Sequence, residues 1–200
     1  MAKAAWCTVS PSSGTGNKTV SVSGTAHTGR VQRETTLTVK TTTGSPVQTK
    51  TVNVIQSPKA EFVAGSTSYN ATATATTVAI SGTSNSTKLT FTFSGIVTTV
   101  SNFKVNEVSA TSGTAIVGDP GADAEFAWTA TATISVNSTI SSRTGTVTIT
   151  CNDTAKTLIA TITQAAGDAT LTVSKTSITL AQAGTAVTFD VTSNASWSIS

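Results

Sequence analysis

Arg143-Thr-Gly-Thr-Val-Thr-Ile149 places glycine, valine and isoleucine at every second position, with threonine between them. A period of two sends alternate side chains to opposite faces of a strand. Stiff, branched threonine and valine favour that pleated setting. An earlier stretch, Arg33-Glu-Thr-Thr-Leu-Thr-Val39, matches it without a gap. A polar turn, another strand and a glutamine follow each copy, ending in Val54-Ile-Gln56 and Ile162-Thr-Gln164. Two copies of one hairpin define a repeated β-module.

Around the earlier hairpin, Thr19-Val-Ser-Val-Ser23 and Thr51-Val-Asn-Val-Ile55 alternate, so residues 6–57 read as the back half of a sandwich. Residues 60–166 carry a full set of strand patterns, among them Val78-Ala-Ile80, Lys88-Leu-Thr-Phe-Thr-Phe93, Phe103-Lys-Val105 and Ala130-Thr-Ala-Thr-Ile134. A third segment has Ala169-Thr-Leu-Thr-Val-Ser, Ser177-Ile-Thr-Leu180 and Ala186-Val-Thr-Phe-Asp-Val191, then Trp197-Ser-Ile-Ser200. It reads as a front half. The expected architecture is all-β: a complete sandwich at 58–167, and a second one split between 168–200 and 1–57.

Each half of a split sandwich exposes an apolar face and unpaired strand edges until the other half covers it. Trp6 and Val9 on one side, and Asn194, Trp197 and Ile199 on the other, are the candidate complementation residues. Three explanations stand: exchange between neighbouring copies, closure within one chain, or a fragment of something longer. Assembly rather than catalysis is the expectation.

Composition narrows the function classes. The chain has 45 Thr and 26 Ser in 200 residues, over a third of the total, while 10% of residues are charged and 5% aromatic. A disordered Ser/Thr stalk would be richer in proline than the 4 found here and would lack the regularly placed aliphatics. Residues 1–59 carry seven cations against one carboxylate, net +6, and residues 60–200 carry five against eight, net −3. That asymmetry offers attraction between copies, or else only scattered solvated charges. With no apolar leader and no membrane-length run, the expected setting is a reducing cytoplasm, and Cys7 and Cys151 do not form a disulfide framework.

His27 is the sole histidine; it aligns with Asn137 at a surface turn, so no nucleophile–base constellation is expected and no enzyme. Asp119, Asp123 and Glu125 near Pro120 lack the spacing of a calcium loop and read as a solvated turn, so no metal or cofactor is expected. Basic residues without interleaved aromatics give no nucleic-acid signature. Sugar platforms would have to come from Trp6, Tyr69, Trp128 or Trp197, and tryptophan in a sandwich is more often core.

Ser193-Asn-Ala-Ser-Trp197, Trp6-Cys-Thr-Val-Ser-Pro-Ser-Ser-Gly14, the Arg143 hairpin and Ile162-Thr-Gln164 together resemble the Bacteroidetes-associated carbohydrate-binding domains called BACON. The resemblance implies an immunoglobulin-like sandwich, and its name implies sugar binding. The central module departs from the pattern: it lacks Ser-Asn-x-Ser-Trp and carries an insertion around residues 116–125. Modules of this kind without leaders also resemble virion proteins of tailed phages, including crAss-like phages. The resulting expectation is an auxiliary or decoration protein on a phage capsid, made in the host cytoplasm, with copies of itself and a major capsid protein as partners. A head or tail fibre component is a variant of it. The alternative is a carbohydrate-binding module of a secreted protein that takes surface glycans. Neither nucleic acid nor membrane is an expected partner.

Overall fold

The computed structural model describes residues 2–115 and 123–200. Its strands in order are β1 Cys7–Ser10, β2 Ser21–Gly24, β3 Arg33–Lys40, β4 Thr49–Gln56, β5 Val63–Gly65, β6 Ser68–Ala71, β7 Thr77–Ser84 and β8 Leu89–Gly95. They continue with β9 Val97–Val105, β10 Val108–Ser109, β11 Phe126–Ile134, β12 Arg143–Cys151, β13 Lys156–Gln164, β14 Leu171–Val173 and β15 Val191–Ser193. The fold is all-β.

Strands β5 to β13 build a two-layer sandwich: a five-stranded sheet, β10-β9-β11-β7-β5, faces a four-stranded sheet, β6-β13-β12-β8. Buried and less buried residues alternate along β11, β12 and β13, as the period-two pattern requires. Trp128, Ile80, Leu89, Val147, Ile149 and Ile162 fill the space between the sheets with almost no exposure. The Phe91 ring meets Phe103 and Trp128 edge-on, at centroid distances of 5.0 and 6.1 Å. Only Ile96 separates β8 from β9, so the chain changes sheets within one residue. Gly95 makes that possible with φ +67° and a backbone so close to Thr144 O that a Cβ would sit 2.5 Å away.

The flanking segments form three isolated hairpin sheets, β1-β2, β3-β4 and β14-β15. Among the described residues outside 58–167, Cys7 is the single fully buried apolar side chain. The total accessible surface is 12725 Å². A compact chain of this mass exposes about 8,700 Å², and two separate compact modules of half the mass about 10,500 Å². The remaining excess, roughly 2,200 Å², exceeds a standard protein–protein interface of about 1,600 Å².

The sequence pattern predicts strands at 177–180 and 186–191, yet residues 177–190 are not in strand conformation and β15 begins at Val191. A strand is defined by its ladder partner, and among the described residues these segments have none.

Candidate assembly face

The two hairpin copies share a side-chain clasp. In the central module, Arg143 Nε donates to Gln164 Oε1 at 2.8 Å, and Arg143 Nη2 donates to the Ser135 carbonyl and to Ser135 Oγ. In the first segment, Arg33 Nε donates to Gln56 Oε1 at 3.0 Å and Arg33 Nη2 to Thr25 O and Oγ1 at 2.9 and 3.2 Å. Strand pairing agrees, with Arg143 opposite Gln164 and Arg33 opposite Gln56. Residues 20–40 thus correspond to 130–150, and β4 corresponds to the second strand of the central hairpin, with Gln56 matching Gln164.

The third segment repeats the front of the central module in the same manner. Asn85 Oδ1 accepts the Phe62 N–H at 3.0 Å, and its Nδ2 donates to the carbonyls of Ala60 and Thr28 at 3.1 and 3.0 Å. Asn194 Oδ1 accepts the Thr170 N–H at 2.8 Å, and its Nδ2 donates to the carbonyls of Asp168 and Ser138, both at 2.9 Å. Ser84 and Ser193 bond Phe62 O and Thr170 O alike, at 2.8 and 2.7 Å. The central module therefore carries the first two residues of the element, as Ser84-Asn85; it lacks the closing serine and tryptophan, Thr87 and Lys88 standing where the third segment has Ser196 and Trp197.

Each asparagine crosses a module boundary, and the boundaries match. Lys59 N donates to Gly29 O at 2.9 Å in one, and Gly167 N to Thr139 O at 2.7 Å in the other. His27 and Asn137 brace the loops that supply these carbonyls, with His27 Nε2 2.7 Å from Val31 O and Asn137 Nδ2 donating to Ser141 O at 2.8 Å. The sequence predicts a surface turn for this pair; both side chains are buried.

The two joints lie at opposite ends of the central sandwich. Ala73 O, just before β7, accepts the Asn137 N–H at one end, and Asn85 follows β7 at the other. The nine residues of β13 span the same gap, about 30 Å at 3.3 Å per residue. Among the described residues, no hydrogen bond joins residues 2–57 to residues 168–200. Bringing residues 168–200 against residues 2–57 of the same chain would require breaking a joint.

What the halves leave open is visible by comparison with the complete module. Val39 is 60% exposed where its counterpart Ile149 is fully buried; Phe189 is 38% exposed where Ile80 is fully buried. Val20, Val22, Val52, Leu180 and Val187 are likewise exposed. In the complete sandwich β13 pairs with β6 in parallel and β11 pairs with β7 antiparallel. Among the described residues the corresponding edges of β4 and β2 are vacant, as their pairing is confined to β3 and β1.

Of the expected complementation residues, Trp6 is half-buried with the Arg33 guanidinium 4.7 Å above its ring, and Val9 is half-buried on β1. Trp197 and Ile199 are 51% and 73% exposed. Asn194 holds the joint of its own chain. The chain does not bring Trp6 and Val9 to Trp197 and Ile199, because they belong to opposite ends. Among the other aromatics, Trp128 is core, and the Tyr69 hydroxyl is tied to Ser81 N at 3.2 Å.

Asp119 lies outside the described residues; Asp123 is exposed, and Glu125 approaches Lys59 Nζ at 4.0 Å. Among the described residues no cluster of three metal-ligating side chains occurs. A polar group that the sequence did not reveal sits at the first joint: buried Glu61 accepts from Ser86 Oγ and Thr154 Oγ1. Burial pushes the nearby Cys151 thiol up from its ordinary range, and the Glu61 charge adds to the effect; Ser86, Ser84 and Arg30 oppose it. Asp153 meets Arg30 at 3.4 Å and Lys88 at 3.9 Å, an ion pair across the boundary.

A family model, BACON, described as "Putative binding domain, N-terminal", matches residues 1–57 and 104–165. The match covers more than half of the chain, which belongs to the BACON family. Both matched stretches contain the Arg–Gln hairpin. No curated protein matches the chain.

Proposed function

We propose that this chain is a non-enzymatic structural protein that assembles by completing its split sandwich, and that it serves as an auxiliary or decoration protein on the capsid of a tailed phage. The observation that carries the assembly reading is the pair of open half-sandwiches held at opposite ends of a complete module. Burying them satisfies both the vacant strand edges and the apolar faces. The virion setting rests on the resemblance to phage sandwich modules and on the fit of a repetitive β-rich binder to a repetitive shell. Its partners are then other copies of the chain and a major capsid protein, its place the capsid surface after synthesis in the host cytoplasm.

The second reading, a glycan-binding module, draws on the family's description as a binding domain and on Trp197, half-exposed. Light scattering over a concentration series tests assembly: mass growing with concentration supports it, and a constant monomer mass overturns it. Pelleting with shells of a tailed phage's major capsid protein tests the virion setting. Binding to immobilised polysaccharide without pelleting would favour the glycan module.

A further inference from the structure

The complete module supplies a residue-level template for what covers the open edges. Gln164 is fully buried, and its Nε2 lies within hydrogen-bonding distance of the carbonyls of Ser135, Thr72, Ala73 and Ala75. Among the described residues, Gln56 Nε2 reaches only the counterpart of the first, Thr25 O, at 2.9 Å. A carboxamide has two N–H donors, so one remains to be satisfied once this face is buried. The carbonyls at 72, 73 and 75 come from a turn closed by Ala75 N to Thr72 O at 3.1 Å. The third segment contains the same turn, closed by Gly184 N to Ala181 O at 2.8 Å.

We propose that a second copy of this chain docks with Gln56 of one copy donating to the backbone carbonyls of Ala181, Gln182 and Gly184 of the other. Residues 177–180 then lie parallel to β4, and residues 186–189 lie antiparallel to β2. This rests on the assembly reading given above and fixes its register. The register follows from the pairs Thr163 with Asn70 and Ala132 with Val78 in the complete module, which place Ile55 beside Thr179 and Val22 beside Val187. The occupant is a second copy because the chain's own third segment is held at the far end of the central sandwich by Asn194. Charge agrees: residues 1–59 are net +6, whereas residues 168–200 carry Lys175 against Asp168 and Asp190.

The test mixes two full-length variants, Ile55→Cys and Thr179→Cys, under mild oxidation. Ile55 is 57% exposed, so its replacement leaves the core intact, and the native Cys7 and Cys151 are buried. The expected result is a disulfide between position 55 of one variant and position 179 of the other, found by peptide mass spectrometry. Thr176→Cys, three residues out of register, gives no link to position 55, because bridged Cα atoms lie within about 7 Å. In the same chain, Gln56→Leu weakens assembly about tenfold or more, by stranding the turn carbonyls. Assembly without a 55–179 link overturns the register and leaves the assembly reading standing. A 55–179 link formed within one doubly substituted chain at high dilution overturns the second-copy occupant. A mass that stays monomeric at every concentration overturns both.

Discussion

Phe189→Ala probes the open face where the contrast with the complete module is large. Its counterpart Ile80 is fully buried, whereas Phe189 is 38% exposed in the single chain. An aromatic side chain buries roughly 200 Å² when fully covered, so assembly removes about 75 Å² of it from water. At about 25 cal/mol per Å² that is about 2 kcal/mol, which weakens association about 25-fold. Cavity formation adds to this, so the figure is a lower bound. Sedimentation equilibrium of wild type and variant gives the ratio directly. The Phe93→Ala variant is the control: Phe93 is 45% exposed, but on the central module, and its removal leaves association unchanged. The heat-unfolding transition of the central sandwich stays in place for Phe189→Ala. Equal association of wild type and Phe189→Ala, or a loss matched by Phe93→Ala, refutes the reasoning.

The counterpart pair Ile149 and Val39 separates finished from unfinished core: Ile149→Ala destabilises the central module by about 3 kcal/mol, while Val39→Ala in dilute monomer changes little, both read by calorimetry. Asn194→Ala removes three hydrogen bonds at the second joint; amide exchange at Thr170 speeds up while exchange in β12 and β13 is unaltered. Asn85→Ala costs more, about 2–4 kcal/mol of central-module stability, because it strips partners from a fully buried site. The raised Cys151 pKa means that the folded state holds its thiol proton more tightly than the unfolded chain, whose thiol titrates near 9.0. This thiol's contribution to stability is therefore constant below that pH and is lost as pH rises above it; the alkaline unfolding midpoint moves upward in Cys151→Ala once each protein is referenced to its own stability at pH 7.

The hairpins were legible because alternation and the Arg-to-Gln spacing are written in consecutive residues, so Arg33 and Arg143 announce the same unit. The expectation of a split has the same source: residues 169–191 carry strand patterns that resemble the front of the central module. Other features were not. β6 reads Ser-Tyr-Asn-Ala, a turn-like composition, and becomes a strand only through parallel pairing with β13. Residues 177–180 show the reverse, a strand pattern without a strand, since hydrogen-bonded partners decide the conformation. The role of Asn85 was hidden because Lys88 replaces the tryptophan that marks the element at Trp197. The glycine of the Arg143 motif also explains its absence from the first copy. A Cβ on Gly145 would meet Ser94 O at 2.8 Å, whereas Thr35 in the corresponding place accepts the Ala4 N–H at 2.9 Å.

The asparagine joints separate heading from identity. Each is built from a carboxamide and main-chain carbonyls, so the same hydrogen bonds form although the residues around it differ, Arg30 in one place and Ile140 in the other. A chain with one module more or fewer would keep the same set of main-chain bonds at each boundary. The joint reads the backbone, so it is indifferent to the side chains that flank it.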